Sequence, residues 1–184
     1  MDDFEYMFQN KKFTLISIVV ILIAIGASFY FAQFSDERDD YFRYEENDKE
    51  LDYAIETAQF TLNHFENALL SNDSNLGYFC LKVHYESTFG DIEYIRFIDV
   101  YLQDNEFYGN VYSEPLYIDK IKFDDHLKIN KNNIVDWLYY DYKKEVYYGG
   151  YTTMIMKKRL SKKKQKELGL DEMIFADDNP QIVY

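Results

Sequence analysis

From Phe13 to Phe34 the chain runs for 22 residues without a charged side chain, and 13 of them are Phe, Leu, Ile or Val. At about 1.5 Å of rise per residue such a helix is roughly 33 Å long, against a hydrocarbon core of about 30 Å. It is long enough to span a bilayer. Near a membrane centre each of these apolar residues favours insertion by about 0.3 to 0.6 kcal/mol, roughly 4 to 8 kcal/mol together. As a buried core helix, the same segment would need protein on every side, which the polar remainder could not supply while also building its own core. Residues 13–34 are therefore expected to form a single transmembrane helix, with the lipid bilayer as its partner. A cleaved signal peptide is the alternative, with Gly26, Ala27 and Ser28 offering small residues to a peptidase. The acidic start at Asp2, Asp3 and Glu5, the polar lead over 1–12 and the length of the run favour a retained anchor.

Lys11 and Lys12 flank one end of this segment, while Arg38, Arg43 and Lys49 follow the other. The nearest positive charges favour an N-terminus in the cytoplasm and a body beyond the cell membrane. From Ser35 to Glu50 the chain carries eight acids against three bases, so 35–47 reads as an acidic juxtamembrane spacer.

The whole chain has a formal net charge of −13 and one cysteine. Acidity on this scale argues against a phosphate-backbone binder, so no nucleic acid is expected as a partner. A lone thiol excludes an internal disulfide framework and a thiolate zinc site.

After the spacer the hydrophobic period becomes helical. Leu51, Ile55, Ala58, Leu62, Phe65 and Leu69 form one stripe on a helix from about Asp48 to Leu70, with Asn47 and Glu50 placed as a capping box. Ser71 to Asn75 ends it as a polar turn. The period then falls to two. Phe79, Leu81, Val83 and Tyr85 form one face of a strand, and Cys80, Lys82, His84 and Glu86 the other. Runs over Ile92–Leu102 and Phe107–Tyr112 make a hairpin around Gln103 to Glu106. A short strand is expected at His126–Ile129, and a second hairpin over Trp137–Tyr142 and Glu145–Tyr148. Gly149 and Gly150 close the sheet, and a helical pattern runs from about Thr152 to Leu168. The expected fold is α+β: a helix on a small antiparallel sheet, or partly open barrel, of about six strands, with a C-terminal helix and a tail over 171–184.

Several residue groups in this body recur in a known pattern. They are Glu114-Pro115 after a hairpin, Asp125-x-Leu127-x-Ile129, Ile134-x-Asp136-Trp137, and Gly149-Gly150-Tyr151-Thr152. Together they resemble the bacterial YegJ-like family, domain of unknown function 2314, over about residues 48–170. Ser113 stands where that family has Asn, Asp124 where it has Gly, and Met154 where it often has Arg. The resemblance implies a small α+β domain with no established activity, and for some members a place beside toxin immunity systems.

Asp136 and Trp137 could form a recognition spot, the indole as an anchor and the carboxylate as a partner for a cation; the plainer reading is a core Trp and a turn-capping Asp. Gly149, Gly150, Tyr151 and Thr152 leave a strand and open a helix, where backbone N–H groups can hold an anion or merely make the turn. Lys157, Lys158, Arg159, Lys162, Lys163, Lys164 and Lys166 are seven bases without an intervening acid, leaving 13 bases against 33 acids elsewhere. Such a helix could contact anionic lipid, dock on the chain's own acidic spacer, or face solvent. Tyr139, Tyr140, Tyr142, Tyr147, Tyr148 and Tyr151 crowd the second hairpin and could build an aromatic platform. His64, His84 and His126 are scattered, and neither His84-x-Glu86 nor Asp124-Asp125-His126 has a recognised ligand spacing, so no metal or cofactor is expected. Cys80 reads as an inert strand thiol. No nucleophile, base and orienter occur together. The expected role is a membrane-anchored protein-binding module, immunity-like in the sense the resemblance implies. The alternative is a tethered enzyme using Asp136 and the Gly149 to Thr152 turn.

Overall fold

A computed structural model describes residues 48–90 and 92–181. The expected anchor at 13–34, the tail at 1–12, the spacer at 35–47 and the Asn47 cap lie outside them. Among the described residues no helix is long and apolar enough to cross a membrane.

Asp48 opens the first helix, α1 (Lys49–Phe60), accepting the Leu51 N–H at 3.2 Å, with Glu50 and Asp52 in the first turn where helix-terminal N–H groups favour negative charge. A single helix to Leu70 was the expectation; the structure divides it at Thr61 into α1 and α2 (Leu62–Leu70). The cause is local. The Thr57 hydroxyl donates back to the Tyr53 carbonyl at 2.8 Å and the Thr61 hydroxyl to the Thr57 carbonyl at 2.6 Å, bonds that bend a helix. The break turns Phe65 fully inward.

Six strands follow: β1 (Leu76–Glu86), β2 (Ile92–Gln103), β3 (Glu106–Val111), β4 (His126–Ile129), β5 (Ile134–Asp141) and β6 (Val146–Gly149). They form one antiparallel sheet in the order β4-β3-β2-β1-β5-β6, an open sheet with β4 and β6 at its ends. Asp104 and Asn105 join β2 to β3 with both φ angles positive, the two-residue turn whose twist suits a hairpin.

Leu81, Val83, Ile95, Phe97, Phe107, Val111, Ile129 and Trp137 line the sheet's inner face under α1 and α2. Phe65 sits among Phe79, Phe107 and Trp137 at ring-centroid distances of 5.6, 5.9 and 5.9 Å, tilted or edge to face. Burial of these rings removes the largest apolar area in the body from water.

The helical pattern after Gly150 also divides, into α3 (Tyr151–Arg159) and α4 (Lys162–Glu167). Leu160 is extended, and the Ser161 hydroxyl accepts the Lys164 N–H to start a new helix. Gln165 turns inward and donates to the Lys157 and Leu160 carbonyls at 2.6 and 2.9 Å, satisfying the end of α3. Residues beyond 170, expected as a tail, run back along β6: Tyr147 N–H donates to Ile174 O and Ala176 N–H to Tyr147 O, a parallel bridge on the outer edge of the sheet.

Candidate functional site

The six expected binding residues, Asp136, Trp137, Gly149, Gly150, Tyr151 and Thr152, come together in one buried knot at the junction of β5, β6 and α3. Strand β6 covers only Leu138 to Asp141 of β5. Beyond its end the Gly150 N–H donates to Trp137 O at 2.7 Å, so α3 begins beside Asp136. Asp136 Oδ1 accepts the Trp137 and Tyr151 N–H groups at 3.0 and 3.1 Å, and Oδ2 accepts the Thr152 N–H at 3.0 Å and its hydroxyl at 2.6 Å. Gly150, the residue preceding α3, has no side chain to cap it, and a carboxylate from the neighbouring strand takes that role. Trp137 is 1% exposed and its indole N–H donates to Ala58 O at 3.0 Å. Gly149 lies against it at φ +76°, where a Cβ would stand 2.1 Å from Trp137 O.

On the opposite face of the sheet Arg96, Lys82 and Asp136 are cross-strand neighbours on β2, β1 and β5. Lys82 is 8% exposed and donates to the Thr152 hydroxyl at 2.7 Å. Burial pushes its ammonium down to about 8, with Arg96 adding to the shift and Asp136 opposing it. Burial also pushes the Asp136 carboxyl up, against the pull of Lys82 and its hydrogen-bond donors. The Arg96 guanidinium has no bonded partner among the described residues. These side chains floor a cavity of about 220 Å³, walled by Tyr78, Cys80, Leu138, Tyr147 and Thr153 and roofed by Leu168, Gly169, Leu170 and Met173. Burial holds the Cys80 thiol up at about 11, so it is protonated at neutral pH.

Periodicity placed Cys80 and Lys82 on the face away from the main core, but not beside Arg96. That adjacency depends on strand register, and the roof depends on the returning C-terminal segment. The only available signal was a Lys and an Arg in the middle of apolar strands.

The basic helices meet acids of this chain. Arg159 pairs with Asp48 and Glu50, and Lys158 with Glu50 at 2.6 Å. Lys163 and Lys164 face Glu167 at 3.9 and 3.2 Å. Lys157 donates to the Asp171 and Met173 carbonyls, and Lys162 to Gln165. Among the described residues no three His, Cys, Asp or Glu side chains gather as metal ligands.

The second hairpin divides its tyrosines between the faces. Tyr139 stacks on Trp137 and Tyr148 on the inner side; Tyr140, Tyr142, Tyr147 and Tyr78 cluster on the other. At the far end of that outer face lies a second aromatic group. Tyr101, Tyr108 and His126 stack at interplanar angles of 9 to 15°, the Tyr101 hydroxyl is 3.1 Å from His126 Nε2, and Tyr112 meets Phe123.

Neither a curated protein nor a solved structure matches the chain. The model of a family described as an uncharacterised protein conserved in bacteria, DUF2314, matches residues 48–172, from the cap of α1 to just beyond α4. By that match over about two thirds of its length, the chain belongs to the DUF2314 family of bacterial proteins.

Proposed function

We propose that this protein is a single-pass membrane-anchored module, held by residues 13–34 with its body outside the cytoplasm, that binds a partner protein on the open end of its sheet. The observation that carries this reading is the outer face of β2, β3 and β4. Tyr101, Tyr112 and Phe123 are 41%, 47% and 55% exposed there, beside the stacked Tyr108 and His126. Aromatic area presented on rigid strands is what interface anchors are made of. Asp99, Asp124 and Asp125 border the same patch, so the expected partner surface is basic. An immunity-like role is the form of binding that the YegJ-like resemblance suggests.

The enzyme reading draws less support. Both oxygens of Asp136 are engaged by α3 and Trp137, and Cys80 keeps its proton, so the knot offers neither a free base nor an activated nucleophile.

A photo-crosslinking residue at Tyr112 and another at Phe60 on α1, introduced separately into intact cells, test the surface. The expected result is a discrete adduct from position 112 that is missing from position 60. Equal labelling at both, or none at 112, overturns the reading. Protease added to intact spheroplasts should digest the body; digestion only after lysis overturns the orientation.

A further inference from the structure

We propose that the cavity on the outer face of β1, β2 and β5 is a binding site for a small organic carboxylate, its head held by Arg96 and Lys82 and its apolar body by Tyr78, Leu138, Tyr147 and Leu170. This site adjoins the aromatic patch through Tyr112, whose N–H donates to Arg96 O at 2.7 Å, but it uses none of that patch's side chains.

Charge is the first argument. The chain is strongly acidic overall, yet this cavity gathers two cations on adjacent strands. The one carboxylate beside them is already committed. Asp136 accepts four hydrogen bonds at the start of α3, which leaves it no oxygen to turn toward Arg96. Lys82 uses one N–H on Thr152 and retains further donors, and Arg96 uses none of its side-chain donors on the described residues. Burying an ammonium beside a second cation opposes folding, and an anion between them offsets that cost.

Shape and lining give the second argument. A cavity of about 150 Å³ holds benzene, so 220 Å³ accommodates one aromatic ring with a carboxylate. The lining is mixed: two tyrosine rings and a leucine stand around the charged floor, and Leu168, Leu170 and Met173 lie above it. Convergent polar donors on one side of a cavity with apolar side chains on the other suit an amphipathic anion better than a bare inorganic one. A guanidinium presents paired N–H groups that match the two oxygens of a carboxylate.

Equilibrium dialysis of radiolabelled benzoate against the full chain in nanodiscs, with empty nanodiscs as background, tests the site. Benzoate should bind saturably, while neutral benzyl alcohol and inorganic phosphate should each compete at least about tenfold more weakly. Arg96→Gln should weaken benzoate binding by about tenfold or more, the loss of a charge-assisted pair. Leu168→Trp at the half-exposed roof should block binding while leaving both cations in place. Cys80 is the chain's only thiol and lines the cavity, so bound benzoate should slow its alkylation in the parent and not in Arg96→Gln. Equal binding of benzoate by all three proteins, equal competition by benzyl alcohol or phosphate, or binding without protection of Cys80 overturns the proposal.

Discussion

On the inner face of the sheet Phe65, Phe107 and Trp137 interlock with almost no exposed surface; on its outer face Arg96, Lys82 and Asp136 stand in a row beneath a partial roof. Two helices of continuous apolar stripe close the first. Only Leu168, Gly169, Leu170 and Met173, after α4, roof the cavity on the second. The contrast separates tasks: removal of water from rings holds the inner face together, while the outer face carries charge, of which Asp136 caps α3 and Lys82 bonds Thr152, together with exposed aromatic area. Expected effects of substitution follow that division.

The largest effect should come from Trp137→Ala. It removes the ring that joins Phe65, Tyr139 and Tyr151 and leaves Ala58 O without its indole donor, a loss of about 3 to 5 kcal/mol. Urea unfolding of the full chain in nanodiscs, followed by circular dichroism, measures it; a loss below about 1 kcal/mol would place the centre of the core elsewhere. Gly149→Ala should come next, at about 2 to 4 kcal/mol. It forces a Cβ against the Trp137 carbonyl at a positive φ, so relaxation must move backbone.

Lys82 sharpens the comparison from the outer side. Its ordinary value of 10.5 falls to about 8 in the fold. Between those pH values the unfolded chain holds a proton that the folded chain has released, so raising the pH favours the fold. The stability of the parent minus that of Lys82→Met should therefore climb from about pH 8 to 10.5 and be flat below 8. A flat difference throughout would mean that Lys82 is solvated. Taking the difference also cancels the opposite trend of Tyr139 and Tyr151, which burial holds up at about 12 and which cost stability as pH rises above 10.

The smallest effect belongs to the rim. Arg159→Ala should cost about 0.5 to 1 kcal/mol, since the Arg159 side chain is half exposed and its ion pairs with Asp48 and Glu50 are screened by solvent. The Arg159 hydrogen bond holds the Asp48 carboxyl down at about 2, against an ordinary 3.8. That contribution is present above pH 4 and is lost as pH falls toward 2, so parent and variant should converge in acid.

Much of this was legible in the order of residues. The alternation from Phe79 to Tyr85 marks β1, and the polar joints at Gln103–Glu106 and Lys143–Lys144 mark both hairpins. The paired motifs around Asp136-Trp137 and Gly149-Gly150-Tyr151-Thr152 proved to be two halves of one junction. What periodicity could not supply was anything set by a contact between distant segments. The Thr57 and Thr61 hydroxyls interrupt a stripe that continues unbroken in sequence. The register that sets Lys82 beside Asp136 depends on irregularities in the β1–β5 pairing near Tyr78 and between Lys82 and Val83, which alternation alone does not locate. The C-terminal segment carries too little apolar pattern to announce that it belongs to the sheet.

That last segment bears on how the protein can be handled. Asn179 exchanges hydrogen bonds with both the N–H and the carbonyl of Gly149, and the Tyr151 hydroxyl donates to Pro180 O, so residues 174 to 180 fasten the end of β6 as well as shielding its edge. Trimming to the family-matched stretch, 48–172, would strip away this fastening and leave a bare ladder of peptide groups next to exposed tyrosines. A shortened body of that kind invites strand-to-strand pairing between copies, and its self-association would be an artefact of where the scissors fell.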